Sequence, residues 1–182
     1  LCNPGHYCIR GSNSSTPSGL PMGGVCAAGG YCPLGSSAPH ACPAGRYQAT
    51  TGSQSPLDCL PCPPGFYCSN ANTPKPTGAC LAGYYCTGGA SQPRQHATPP
   101  GYFSGPGSSG PTPCDAGKYA PSYNMSACLA CKAGYYCPNQ TTIHYVDCPA
   151  GSFCPPGAFT PTPCSKGTFN SLKRLYNSSQ CT

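Results

Sequence analysis

The sequence predicts a small disulfide-rich fold: an elongated tandem array of about ten short repeats, with brief β segments, many turns and almost no helix. Three observations carry this. The 182 residues include 18 Cys, 24 Gly and 25 Pro. Only 18 residues are Leu, Ile, Val or Phe, too few for an ordinary hydrophobic core. A Cys-x-x-Gly-x-aromatic unit recurs along the whole chain. This composition excludes a doubly wound enzyme, a helical bundle and a membrane-spanning bundle. At 7% charged residues the chain is not a charge-swollen disordered tail either. What remains is a scaffold in which covalent staples replace apolar burial.

The repeat is read from its glycines: Gly5, Gly29, Gly45, Gly65, Gly83, Gly101, Gly117, Gly134, Gly151 and Gly167. They are separated by 16 to 24 residues. Pro or Ala precedes nine of the ten, which suits a tight turn with glycine in a left-handed conformation. Two residues after each glycine stands an aromatic: Tyr7, Tyr31, Tyr47, Tyr67, Tyr85, Phe103, Tyr119, Tyr136, Phe153 or Phe169. Each is expected to pack on its own disulfide and on the next repeat, giving a chain of small cores.

In six repeats the second cysteine follows the aromatic directly, and in three it comes later. The copy around Gly101 has lost both cysteines together, which argues for pairing inside each repeat. The expected bonds are Cys2–Cys8, Cys26–Cys32, Cys42–Cys59, Cys62–Cys68, Cys80–Cys86, Cys114–Cys128, Cys131–Cys137, Cys148–Cys154 and Cys164–Cys181. Crossed bonds such as Cys62–Cys80 with Cys68–Cys86 fit the spacing too, and both schemes stay open here. A seven-residue ring contributes about 2.4 kcal/mol. That is well below the conformational entropy of a whole repeat, so neighbouring repeats must supply the rest.

The organisation follows: residues 1–97 hold repeats 1–5, residues 98–113 form a degenerate, cysteine-free repeat and possible hinge, and residues 114–182 hold repeats 7–10. Residues 87–113 are the least stapled stretch and the best contact loop. Residues 171–176 are the one place expected to form a helical turn. Cys2 already lies inside the first repeat, so the chain reads as a processed or excerpted part of a longer secreted protein. No run of about 20 apolar residues occurs, so no direct membrane insertion by this chain is expected.

Net charge is +6, with Asp58, Asp115 and Asp147 the only acids. The bases are scattered without a basic stripe, so no nucleic-acid partner is expected. Cys59-x-x-Cys62 and Cys128-x-x-Cys131 have zinc or redox spacing, but each is the end of one repeat abutting the next. His6, His40, His96 and His144 share no ligand spacing. No catalytic residue, cofactor or metal is expected. N-glycan acceptor patterns stand at Asn13, Asn124, Asn139 and Asn177. Residues 73–76, 111–113 and 160–163 are Thr/Pro segments suited to O-linked sugars or to polyproline-like spacers.

The stretch CPAGRYQATTGSQSPLDCLPCPPGFYC, Cys42 to Cys68, resembles the ephrin-receptor-like cysteine-rich repeat. It is more distantly similar to the cysteine-rich modules of tumour-necrosis-factor receptors. The resemblance implies an extracellular or cell-surface, non-catalytic rod, adhesive surface or ligand platform. The expected function is a glycosylated structural repeat protein that self-associates into a fibre or surface coat. The alternative is a stalk or ligand-binding segment of a receptor or adhesion ectodomain.

Overall fold

A computed structural model describes all residues, 1–182. Eighteen strands of two or three residues pair as nine two-stranded antiparallel ladders, and only two 3-10 turns interrupt them. This is the small disulfide-rich, tandem-repeat fold that the cysteines and glycines predict.

Each ladder has the same composition. One strand starts directly after the repeat glycine; the other ends just before the first residue of the next repeat. Arg46–Tyr47 thus pairs with Leu60–Pro61, and Phe66–Tyr67 with Gly78–Ala79. The glycine sits at φ between +74° and +95° in all ten repeats. In repeat 3 the Arg46 N–H donates back to the Pro43 carbonyl (3.1 Å), closing a turn with glycine at its third position.

Sulfur fills the interior. Fourteen of the 18 cysteines are buried, and apart from Cys, Ala, Gly and Pro17 the only buried apolar residues are Tyr119 and Leu175. The bonds join cysteines within each repeat: Cys2–Cys8, Cys26–Cys32, Cys42–Cys59, Cys62–Cys68, Cys80–Cys86, Cys114–Cys128, Cys131–Cys137, Cys148–Cys154 and Cys164–Cys181. Their Cα atoms are 5.7–6.3 Å apart, within the span a disulfide bridges. No cysteine is free.

Two expectations need correction. Where the rings join buried clusters they lie on the next repeat, as expected, and not also on their own disulfide. Tyr67 packs on Cys80, Cys86 and Ala90, Tyr119 on Cys131 and Cys137, and Tyr136 on Cys148, Cys154 and Ala158. These clusters do not include the ring's own bridge, because the ladder aims it forward. The helical turn does not form over residues 171–176. Leu175 instead bridges to Phe153 and is buried, while the 3-10 turns are Pro56–Asp58 and Ser178–Gln180. Each is closed by a reciprocal cap, Ser55 with Asp58 and Asn177 with Gln180.

The chain divides into two compact units. One comprises Leu1–Leu81, Tyr85–Gln95 and Gly107–Gly110; the other comprises Ala82–Tyr84, His96–Pro106 and Pro111–Thr182. The division passes through repeats 5 and 6.

Candidate functional site

The recurring site is the joint between repeats, and within each unit it is built from backbone. The repeat glycine N–H donates to the carbonyl three residues past the next glycine, as Gly5 does to Cys32 and Gly117 to Cys137. The same glycine's carbonyl accepts from the first residue of the next repeat, as Gly45 does from Cys62 N–H (2.8 Å). Two further bonds return from a second left-handed residue, six or seven positions after the glycine. Its N–H donates to the first residue of the preceding repeat, as Asn72 does to Cys42 (2.9 Å). The residue after it accepts from the preceding repeat, as Ala90 does from Cys68 N–H (2.9 Å). All four bonds recur at every one of the nine junctions.

The second left-handed residue also reaches one repeat further. Its carbonyl lies against the glycine two repeats upstream. A Cβ added to Gly5, Gly45, Gly65, Gly117 or Gly134 would stand 2.4–2.5 Å from the oxygen of Gly52, Gly89, Gly107, Gly157 or Arg174. One residue therefore touches both preceding repeats. The next position is small in most repeats and buried at Ser36, Ser53, Ala90 and Ala158. The sequence reading missed this element. Its signal is a Gly-Ser or Gly-Ala pair at fixed offset, blurred where Asn72, Asn124, Thr141 and Arg174 take φ of 60–66°.

Of the three repeats whose second cysteine is delayed, two put an amide in its place, and the repeat of Gly117 puts the buried Ala120 there. Gln48 is buried, donates through Nε2 to the Asp58 carbonyl (2.6 Å) and accepts from the Thr50 N–H (3.1 Å). Asn170 donates likewise to the Gln180 carbonyl (2.6 Å).

The residues singled out for chemistry are kept apart. Cys59 and Cys62 belong to different disulfides, as do Cys128 and Cys131. No group of three or more His, Cys, Asp or Glu side chains is arranged to hold a metal ion. His40 stacks on Tyr31 with centroids 5.4 Å apart. The carboxylates are engaged singly. Asp58 accepts from the Gln54 and Ser55 N–H groups, Asp115 pairs with Lys118 (3.5 Å), and Asp147 pairs with Arg174 (3.0 Å). The hydrogen bond to Asp147 holds the Arg174 guanidinium above its ordinary pKa. Arg174 also lies over Tyr135 (5.2 Å to the centroid), which meets Tyr145 edge-on (4.5 Å).

Asn13, Asn124, Asn139 and Asn177 are all exposed. Asn177 uses its side-chain oxygen to cap the last 3-10 turn, accepting from the Ser179 N–H (3.1 Å). The threonine of the Asn139 pattern, Thr141, is a β-branched residue held at φ 60°. Of the Thr/Pro segments, two contribute strands, Thr112–Pro113 and Thr162–Pro163, rather than free spacers.

No family model matches the chain, and no curated protein matches it. Nine disulfides with no free thiol are the mark of a secreted or extracellular structural module. No helix is long and apolar enough to cross a membrane.

Proposed function

We propose that the chain is a non-catalytic extracellular structural repeat protein. It serves as a covalently stapled spacer, is N-glycosylated on its exposed asparagines, and self-associates into a fibre or surface coat. The observation that carries the reading is the recurrence of one backbone joint at nine junctions. A joint made of peptide groups, glycine and sulfur tolerates wide variation of the exposed side chains. It fixes the relation of one repeat to the next without needing a large core.

Self-association is supported by the surface. Only 7% of residues are charged. Large apolar side chains stand exposed, among them Leu57, Tyr123, Phe159, Phe169 and Leu172. Exposed apolar side chains on a surface with few charges favour contact between copies, against the repulsion of a net charge of +6.

The test is size-exclusion chromatography with light scattering, followed by electron microscopy, on the oxidised, glycosylated chain. Concentration-dependent polymers of regular width are expected. A monodisperse monomer at every concentration reached contradicts the coat. If that monomer also carries one saturable patch for a protein ligand, the receptor or adhesion-stalk reading takes its place.

A further inference from the structure

Repeat 6 has the turn glycine, the aromatic and all the backbone bonds of its neighbours. Its difference is at two positions. Thr98 and Ser104 stand where repeat 5 has Cys80 and Cys86 and repeat 8 has Cys131 and Cys137. Both side chains are fully buried, and neither Thr98 Oγ1 nor Ser104 Oγ meets a protein hydrogen-bond partner.

Two physical effects then act in the same direction. Without a cross-link, the open state of this repeat keeps its full chain freedom. A buried hydroxyl with no partner gains hydrogen bonds once water reaches it, which again favours the open state. The stapled neighbours have neither property. The covalent map sharpens the contrast. Residues 87–113, between Cys86 and Cys114, are 27 residues without a bridge. The next longest such gap is residues 9–25, between Cys8 and Cys26, with 17.

We propose that repeat 6 is a built-in extensible element. It opens ahead of the stapled repeats and, under tension, releases the whole of residues 87–113. In a stapled repeat, tension crosses the sulfur bridge and bypasses the ring, so little chain is released. In repeat 6 nothing bypasses the loop, and its unravelling frees a segment that spans at most roughly 90–100 Å when fully extended, less the folded distance between its ends. The purpose of the element rests on the spacer reading above; its location rests on Thr98 and Ser104 alone.

Native-state hydrogen exchange on the oxidised full chain tests it. The amides of Thr98, Ser104 and Cys114 donate to the carbonyls of Gly83, Met125 and Gly101. They should exchange at least tenfold faster than the equivalent amides of Cys80, Cys86, Cys131 and Cys137. Thr98→Val with Ser104→Ala removes the hydroxyls without adding a link and should slow exchange in repeat 6. Thr98→Cys with Ser104→Cys, its tenth bond verified by mass, should bring the rates level with the neighbours. The same variant should abolish the first extension step of the oxidised chain in magnetic tweezers. Should the cysteine variant mispair, the wild-type rates and the hydroxyl-free variant decide. Exchange in repeat 6 no faster than in repeats 5 and 8, or rates unchanged in the hydroxyl-free variant, overturns the proposal. So does an extension step that persists in the cross-linked variant. None of these results bears on self-association, which is read separately by light scattering.

Discussion

Gly83 lies against the backbone carbonyl of Asn124, two repeats downstream, so closely that a Cβ on Gly83 would stand 2.4 Å from the oxygen. The glycine has φ +83° and Asn124 has φ 63°. Two left-handed residues, 41 positions apart in sequence, thus meet backbone to backbone. Neither can move without opening a joint.

Gly83→Ala should therefore destabilise the protein by roughly 2–4 kcal/mol, through the left-handed backbone and the carbonyl clash together. Gly110→Ala is the control, since a Cβ there meets nothing within 4 Å and the backbone is not left-handed. Denaturant midpoints of the oxidised variants check the difference. Equal midpoints would mean that the contact two repeats away carries no weight.

Thr141 occupies the same left-handed position that Gly89, Gly107 and Gly157 occupy in other repeats. In unglycosylated protein, Thr141→Gly should stabilise by about 1 kcal/mol, because a β-branched residue is strained there. The reverse change, Gly157→Thr, should destabilise by a similar amount or more. Thermal unfolding of the pair reads both signs.

The same threonine completes the acceptor pattern of Asn139. Peptide mapping of protein secreted from a eukaryotic host should find a glycan on Asn139. Thr141→Gly and Asn139→Gln should both remove it. Asn139→Gln should leave the unglycosylated fold as stable as before, because no joint contact involves that side chain. Bare asparagine at all four positions would remove the glycoprotein part of the proposed function.

Tyr119 is 6% exposed on the Cys131–Cys137 bridge, whereas Phe169, at the equivalent position, is 62% exposed. Tyr119→Ala should cost about 2–4 kcal/mol. Phe169→Ala should change stability by about 0.5 kcal/mol or less. Comparable losses at both positions would contradict forward packing on the next repeat as the source of the small cores.

Much of this architecture is legible in sequence because its parts are local. A turn of this type admits little but glycine at its third position, so Gly5 to Gly167 mark every repeat. Thr98 and Ser104, replacing two cysteines at once, point to pairing within a repeat. The contact two repeats away is not local, and its Gly-Ser or Gly-Ala signal is blurred because Asn, Thr and Arg take the glycine's place in four repeats. Residues 171–176 are expected from the sequence to form one helical turn. The demand for a buried residue beside Phe153 holds Leu175 extended instead. The true 3-10 turns were signalled by Ser55-x-x-Asp58 and Asn177-x-x-Gln180, cap pairs that lie immediately before Cys59 and Cys181.

The central claim is that sulfur bridges closed within single repeats take the place of a hydrophobic core. Non-reducing peptide mapping by mass spectrometry tests it most directly. The predicted result is nine bonds, each inside one repeat, including Cys62–Cys68 and Cys80–Cys86 as separate rings. Crossed Cys62–Cys80 and Cys68–Cys86 bonds, or free thiols in the native chain, would contradict it.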